Sequence, residues 1–262
     1  MLRILSLEAE RKGGLVELSQ ILERFAQGLS IVDAETSHTT TGRVGKSGET
    51  PTYLPGVPSM YETAVADEVA DWWKLNFPNE FNPVGAIHTQ VPYPINTRAK
   101  CDLVFSTDGS VAGSPEWAIE VKRLQFVGDN GKKNDHNVQK MLSPYLKDRA
   151  LTHDVDRMRI DPLAKRHAVI GYAFEYDFES CTEALRRHPN EYSRIAEIRQ
   201  ICANNNATTG QIDPLAMVKI ADSLLTSLGW TKPVEFTRFS NLWRHPTGGS
   251  GVVFGWEVLP VT

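Results

Sequence analysis

Asp102, Glu120 and Lys122 are the residues of this chain whose types and spacing could do chemistry. They lie in the stretch CDLVFSTDGSVAGSPEWAIEVKRLQF, residues 101–126. Two apolar runs, Cys101–Phe105 and Trp117–Phe126, read as strands. The segment between them holds Asp108, Gly109, Gly113 and Pro115, which favour turns. Side chains alternate along a strand, so Glu120 and Lys122 share one face while Ile119 and Val121 share the other. If the two strands pair, Asp102 comes beside Glu120, and two carboxylates and an ammonium converge among Leu103, Val104, Ile119 and Val121. Burying an unpaired charge costs several kcal/mol, roughly, so these groups should pair with one another or hold a metal. Two carboxylates suit a hard divalent cation, because Mg²⁺ takes one or two of them, keeps several waters and accepts phosphate oxygens. A neighbouring lysine can hold a phosphate or orient an attacking water. The combination suits metal-assisted hydrolysis of a phosphodiester. The plainer alternative is a solvent-facing salt bridge on a strand pair.

The elements that must position these residues are legible on both sides. Residues 59–76, SMYETAVADEVADWWKLN, predict a helix with Ser59 as N-cap, Glu62 completing a capping box, and Phe77-Pro78 as the stop. Its inward face is expected to carry Tyr61, Ala64, Val65, Val69, Trp72 and Leu75. At ~100° per residue, Glu62 and Glu68 each lie about 60° from the centre of that face, on opposite sides. Ala86–Ile95 predicts a strand with Pro92 and Pro94 marking an edge or a bend. After the Glu120–Lys122 strand, residues 127–134 read as a turn. A helix follows from about Asp135, interrupted at Pro144 and resuming through Met158, and HAVIGYAFEY (residues 167–176) forms another strand. Leu15, Leu18, Leu22, Phe25 and Leu29 predict an amphipathic helix that starts at Gly13-Gly14. Cys181–Ala203 and Pro214–Leu228 predict two more helices, the second with Ile220, Leu224 and Leu228 on its packed face. Val234–Trp243 and Val252–Val261 read as a hairpin closed by HPTGGSG.

The order helix–strand–strand–strand–helix–strand between residues 59 and 177, with Asp102 on the second strand and Glu120-Val121-Lys122 on the third, resembles the PD-(D/E)xK nuclease superfamily. Restriction endonucleases, Holliday-junction resolvases and many repair nucleases belong to it. Cys101 stands where many members carry proline. The resemblance implies an α/β fold with a restriction-endonuclease-like αβββαβ core: a mixed central sheet flanked by helices, with an N-terminal helix and C-terminal helical and hairpin additions. The expected organisation is one nuclease-like domain over 1–262, with its core at 59–177, an N-terminal extension at 1–58 and a C-terminal addition at 178–262. The implied activity is a Mg²⁺-dependent endonuclease, with Mn²⁺ able to substitute. Asp102, Glu120 and the backbone carbonyl of Val121 would hold the metal, and Lys122 would orient water or balance charge. Members often carry a glutamate early in the opening helix, which favours Glu62 as a further site residue, with Glu68 as the second candidate. The implied substrate is nucleic acid, expected to be double-stranded DNA, in restriction, repair or defence, and cutting both strands favours a homodimer. Two alternatives stand beside it: a nucleic-acid-binding module that keeps the fold without cleaving, and an enzyme on this fold with another substrate. The intact Asp, Glu and Lys argue against the non-cleaving module.

Composition narrows the classes without deciding among them. The chain has 262 residues, 41% hydrophobic and 23% charged, ordinary for a globular protein, and its net charge of −4 does not suggest a protein that coats nucleic acid. The charge is uneven: residues 122–166 hold eleven basic against six acidic residues, a local excess that could meet phosphates through Lys132, Lys133, Lys140 and Arg149. A solvated helix face of mixed charge is the plainer reading of that stretch. No run of ~18 apolar residues predicts a membrane span, and the N-terminus lacks the pattern of a signal peptide. Three widely spaced cysteines without a C-x-x-C pair point to a reducing, cytoplasmic setting and away from a zinc site. The seven histidines form no H-x-x-x-H pair, and no G-x-S-x-G occurs, which argues against histidine-held zinc and a serine-hydrolase elbow. Gly42-Arg43-Val44-Gly45-Lys46-Ser47 imitates a phosphate-binding loop, but Thr40 stands where its first glycine belongs. Gly48, Pro51, Pro55 and Pro58 block the helix that must follow. Residues 36–58 therefore read as a loop.

Overall fold

The computed structural model describes residues 17–36, 48, 56–81, 86–106, 110, 115–125, 141, 150–174, 214–240, 242 and 250–261. Within them the chain is mixed α/β, built on one six-stranded sheet and four α-helices. The strands are β1 (Ala86–Pro92), β2 (Lys100–Ser106), β3 (Trp117–Leu124), β4 (Arg166–Phe174), β5 (Glu235–Ser240) and β6 (Ser250–Val258). The helices are α1 (Leu18–Glu35), α2 (Glu62–Asn76), α3 (Leu151–Ile160) and α4 (Pro214–Ser227). Across the sheet the order is β1-β2-β3-β4-β6-β5, and β3–β4 is the one parallel pair among these strands. A parallel pair needs a crossover connection, and α3 lies in it. No described helix is long and apolar enough to cross a membrane.

The residues explain the layering. β4 reads as a near-continuous apolar run and is buried almost throughout, as a strand covered on both faces must be. Its Gly171 pairs with Phe254, and a Cβ at Gly171 would come within 2.2 Å of that ring. β1 and β5 are the edges, and β5 exposes most of its side chains. β6 lies inside the sheet between β4 and β5, so the predicted C-terminal hairpin extends the sheet itself. Helix α1, expected as an addition, likewise contributes Ile21, Leu22, Phe25 and Leu29 to the same hydrophobic core. It approaches α2 closely at Gly28, where a Cβ would meet Val69 at 2.8 Å and Trp72 at 3.0 Å.

Helix α2 departs from expectation in two ways that matter for the site. It begins at Glu62, not Ser59. Ser59 sits in a 3₁₀ turn over Val57–Ser59, and its hydroxyl donates to the Gly56 carbonyl, so the capping box does not form. The buried face is Val65, Ala66, Val69, Ala70 and Trp73, whereas Tyr61 is 67% and Leu75 81% exposed. Ala66 and Ala70 let the helix settle closely on the sheet, and Trp73 enters the core against Phe105. The same wheel now centres its buried face at about 110°, a rotation of about 70° from the predicted centre. Helix α4 is also turned: Ala216, Met217, Val218, Ala221 and Leu225 are buried, and Ile220, Leu224 and Leu228 face outward.

Several predicted features lie outside the described residues: the Gly13-Gly14 helix start, most of the loop at 37–55, the helix over 135–149 apart from Met141, the Cys181–Ala203 helix and most of the HPTGGSG turn.

Candidate functional site

The site grows from the β2–β3 pair. The antiparallel register sets Leu103 opposite Ile119, and the residues next to this pair, Asp102 and Glu120, lie close enough for the Asp102 charge to act on Glu120. Both carboxylates are buried. Asp102 Oδ2 accepts the backbone N–H of Val121 at 2.8 Å, which fixes the carboxylate against the strand it faces. Its other oxygen accepts from Gln90 Nε2 at 3.1 Å. Gln90 belongs to β1 and has a φ of 54°, the one positive value among described non-glycine residues. A left-handed backbone costs an L-residue roughly 1–2 kcal/mol, so the neighbouring structure has to hold it there. Burial raises the pKa of Asp102, and the Val121 hydrogen bond and the Lys122 charge oppose that rise.

Glu120 is the centre of an ion network reaching into α3. Its Oε1 accepts from the Tyr93 hydroxyl at 2.7 Å and from Arg157 Nη2 at 2.7 Å. The Arg157 guanidinium lies over the Tyr93 ring, 5.0 Å from its centroid, and also donates to Asp154. Asp154, 1% exposed, receives the Lys122 ammonium on its other oxygen at 2.6 Å. Asp154 and Arg157 stand three apart on α3, the spacing that puts two side chains on one helical face. That face is pinned over the site by Asp161 just past the helix end, whose carboxylate accepts the backbone N–H groups of Ile95 and Asn96 in the turn after β1. Burial, then the charges of Asp102 and Asp154, push Glu120 well above the usual carboxylate range, against the pull of Lys122 and Arg157. Burial lowers the pKa of Lys122, but Asp154, Glu120 and Glu62 outweigh it and the net shift is upward, so this lysine is charged.

Of the two helix glutamates, α2 delivers Glu62. At about 100° on the wheel it falls near the middle of the observed buried face. Its Oε1 accepts the backbone N–H of Arg123 at 2.9 Å, and its charge reaches Lys122. The Arg123 guanidinium donates to the carbonyls of Pro58 and Met60, tying β3 to the segment that enters α2. Glu68 is directed elsewhere: it lines a cleft of about 670 Å³ between α1 and α2, with Ile31, Glu35, Asp71, Trp72 and Leu75. The role considered for Glu68 therefore does not match its position, because the helix is rotated from the predicted face. Lys132, Lys133, Lys140 and Arg149 lie outside the described residues.

Four site residues escaped sequence reasoning: Gln90, Tyr93, Asp154 and Arg157. The signal for the last two was the D-V-D-R run at helical spacing; nothing local marked the first two.

The residues fit a divalent cation in donor chemistry. Asp102 and Glu120 present hard oxygens near each other, close enough for one charge to raise the pKa of the other, and Mg²⁺ needs no more than two carboxylates from protein. No group of three or more His, Cys, Asp or Glu that could hold a metal stands together among the described residues. Asp154 is nearby, with Arg157 bridging it to Glu120 and Lys122 pairing with its other oxygen. Comparison of the chain with protein-family models, curated proteins and solved structures found no match in any of the three.

Proposed function

We propose that this protein is a divalent-metal-dependent nuclease that hydrolyses phosphodiester bonds in DNA, on a restriction-endonuclease-like core of the PD-(D/E)xK kind. The observation that carries the reading is the buried meeting of Asp102 and Glu120 across the β2–β3 pair, with Lys122 next on the same face of β3. The order α2, β1, β2, β3, α3, β4 supports it, being the order the resemblance calls for. Several buried charges are weak support for stability, since an apolar cluster of equal volume is often as stable or more so, and charged clusters of this kind are common at functional sites.

In this reading Asp102 and Glu120 hold Mg²⁺ or Mn²⁺, and the Val121 carbonyl is a further candidate ligand. The bound cation would supply Lewis-acid polarisation of the scissile phosphate and a more acidic water. The chain's own contribution is orientation and charge. The Val121 N–H and the Gln90 amide fix the Asp102 carboxylate. Lys122 is held charged beside the carboxylates, where it can balance negative charge that develops on a phosphate. Glu62 fixes the backbone immediately after Lys122.

The test is incubation of purified protein with plasmid, linear duplex, single-stranded DNA and RNA in Mg²⁺, Mn²⁺, Ca²⁺ or EDTA. Cleavage of duplex DNA in Mg²⁺ or Mn²⁺, abolished by EDTA, is expected. Binding of DNA with no cleavage in any metal would replace the reading by a non-cleaving nucleic-acid-binding module.

A further inference from the structure

We propose that Arg157 is a built-in competitor for the metal site: its guanidinium holds Glu120 until a divalent cation takes that carboxylate, and so it sets the cation affinity. This inference rests on the nuclease reading. Three observations carry it. Arg157 Nη2 is 2.7 Å from Glu120 Oε1, so the guanidinium is already on a carboxylate that the cation requires. The same oxygen also accepts from Tyr93, so Glu120 is saturated on one side and held in one orientation. The arginine has somewhere to remain when Glu120 is withdrawn, since Asp154 on its own helix and the face of Tyr93 both continue to hold it.

The geometry is also incompletely satisfied. Among the described residues Arg157 Nε is buried with no hydrogen-bond partner, an arrangement that costs free energy and leaves the side chain a reason to shift. Lys122 does not play this part: its described ion pair is with Asp154, and it does not lie on Glu120. Arg157 is therefore a positioning residue that acts through Glu120. A purely structural arginine would behave oppositely on removal, because loss of a structural support weakens metal binding whereas loss of a competitor strengthens it.

The measurement is Ca²⁺ affinity by titration calorimetry on wild type, Arg157→Gln and Arg157→Lys, each checked for folding by near-ultraviolet circular dichroism. Arg157→Gln is expected to bind Ca²⁺ at least about tenfold more tightly, as removal of a unit charge in contact with a ligand implies. Arg157→Lys, which keeps a charge but not the fork, should fall between that variant and wild type. Because Arg157→Gln leaves Asp154 and Glu120 with less compensation and could fail to fold, a second measurement uses wild type alone. The guanidinium protons of Arg157, followed by NMR, should shift along the same Ca²⁺ titration curve. Folded Arg157→Gln with equal or weaker affinity, or guanidinium signals unmoved at Ca²⁺ saturation, would overturn the competitor role. If wild type nonetheless cleaves DNA in Mg²⁺, the nuclease reading survives that result. If wild type neither binds Ca²⁺, Mg²⁺ or Mn²⁺ nor cleaves, both fail together.

Discussion

Gln90 donates its side-chain amide to Asp102 from a backbone turned to a φ of 54°, so the strained residue of β1 is also the one that steadies a site carboxylate. The two properties separate by mutation. Gln90→Gly adopts positive φ without steric cost, whereas Gln90→Ala keeps the strain, so the glycine variant should be more stable than the alanine variant by about 1 kcal/mol in denaturant unfolding. Both lose the amide and should need more Mg²⁺ for half-maximal cleavage. Equal stability of the two variants would mean that the backbone relaxes out of the left-handed region.

Neutralising either carboxylate should abolish cleavage. The sequence alone suggests that two repelling carboxylates lose little stability when one is neutralised, but their partners change this. Asp102→Asn places an amide against the Val121 N–H or the Gln90 amide, and Glu120→Gln deprives Arg157 of an anion. Asp102→Asn should cost about 1–3 kcal/mol of stability as well as the activity, whereas Glu120→Gln, whose amide oxygen can still accept from Tyr93 and Arg157, should lose the activity at a smaller cost in stability. Wild-type cleavage by either folded variant would remove the site assignment.

Lys122→Ala should slow cleavage by about two to four orders of magnitude, the range for a lost proton-transfer or electrostatic group. Its ammonium is 2.6 Å from Asp154, which stays paired with Arg157 in the variant, so the fold should persist. DNA binding in Ca²⁺ should fall far less than the rate. An equal fall in both would make Lys122 a plain phosphate contact.

Glu62→Gln should reduce cleavage strongly and raise the Mg²⁺ requirement, although the amide oxygen can still accept from the Arg123 N–H. Glu68→Gln, in the α1–α2 cleft, should cleave normally. A Mg²⁺ titration with the opposite ranking would mean that Glu68 serves the site.

Stability should weaken below neutral pH through His167. Burial lowers its pKa from 6.5 to about 4, and its Nε2 accepts the backbone N–H groups of Leu163 and Ala164, which only the neutral ring can do. With the folded value depressed, the unfolded chain binds the proton first. The contribution is whole above pH 6.5 and is lost as pH falls through about 4, roughly 3 kcal/mol in all. Urea unfolding of wild type and His167→Gln between pH 7 and pH 4 checks this, and the variant should show the shallower slope. Parallel slopes would refute the shift.

The sequence by itself determined the β2–β3 pair, the shared face of Glu120 and Lys122, and the placing of Asp102 against Glu120. All three follow from the two-residue alternation of a strand and the turn residues between 106 and 116, which are local properties. It also carried the order of the described elements, because apolar periodicity and breakers such as Pro78 are local. Tertiary structure decided the rest. The burial of Val65, Ala66, Val69, Ala70 and Trp73 is set by how closely two alanines let α2 approach the sheet and by the approach of α1 at Gly28, and neither distance is written in the periodicity of α2. That rotation is what separated Glu62 from Glu68. Likewise Asp154 and Arg157 are recognisable as a helical pair, but what they cover depends on where the β3–β4 crossover sets α3 and on Asp161 fastening it to the turn after β1. Tyr93 and Gln90 reach the carboxylates only across strand pairing. Buried charges take their partners from whatever the packed chain brings within about 3 Å, and for these residues that was decided by long-range packing.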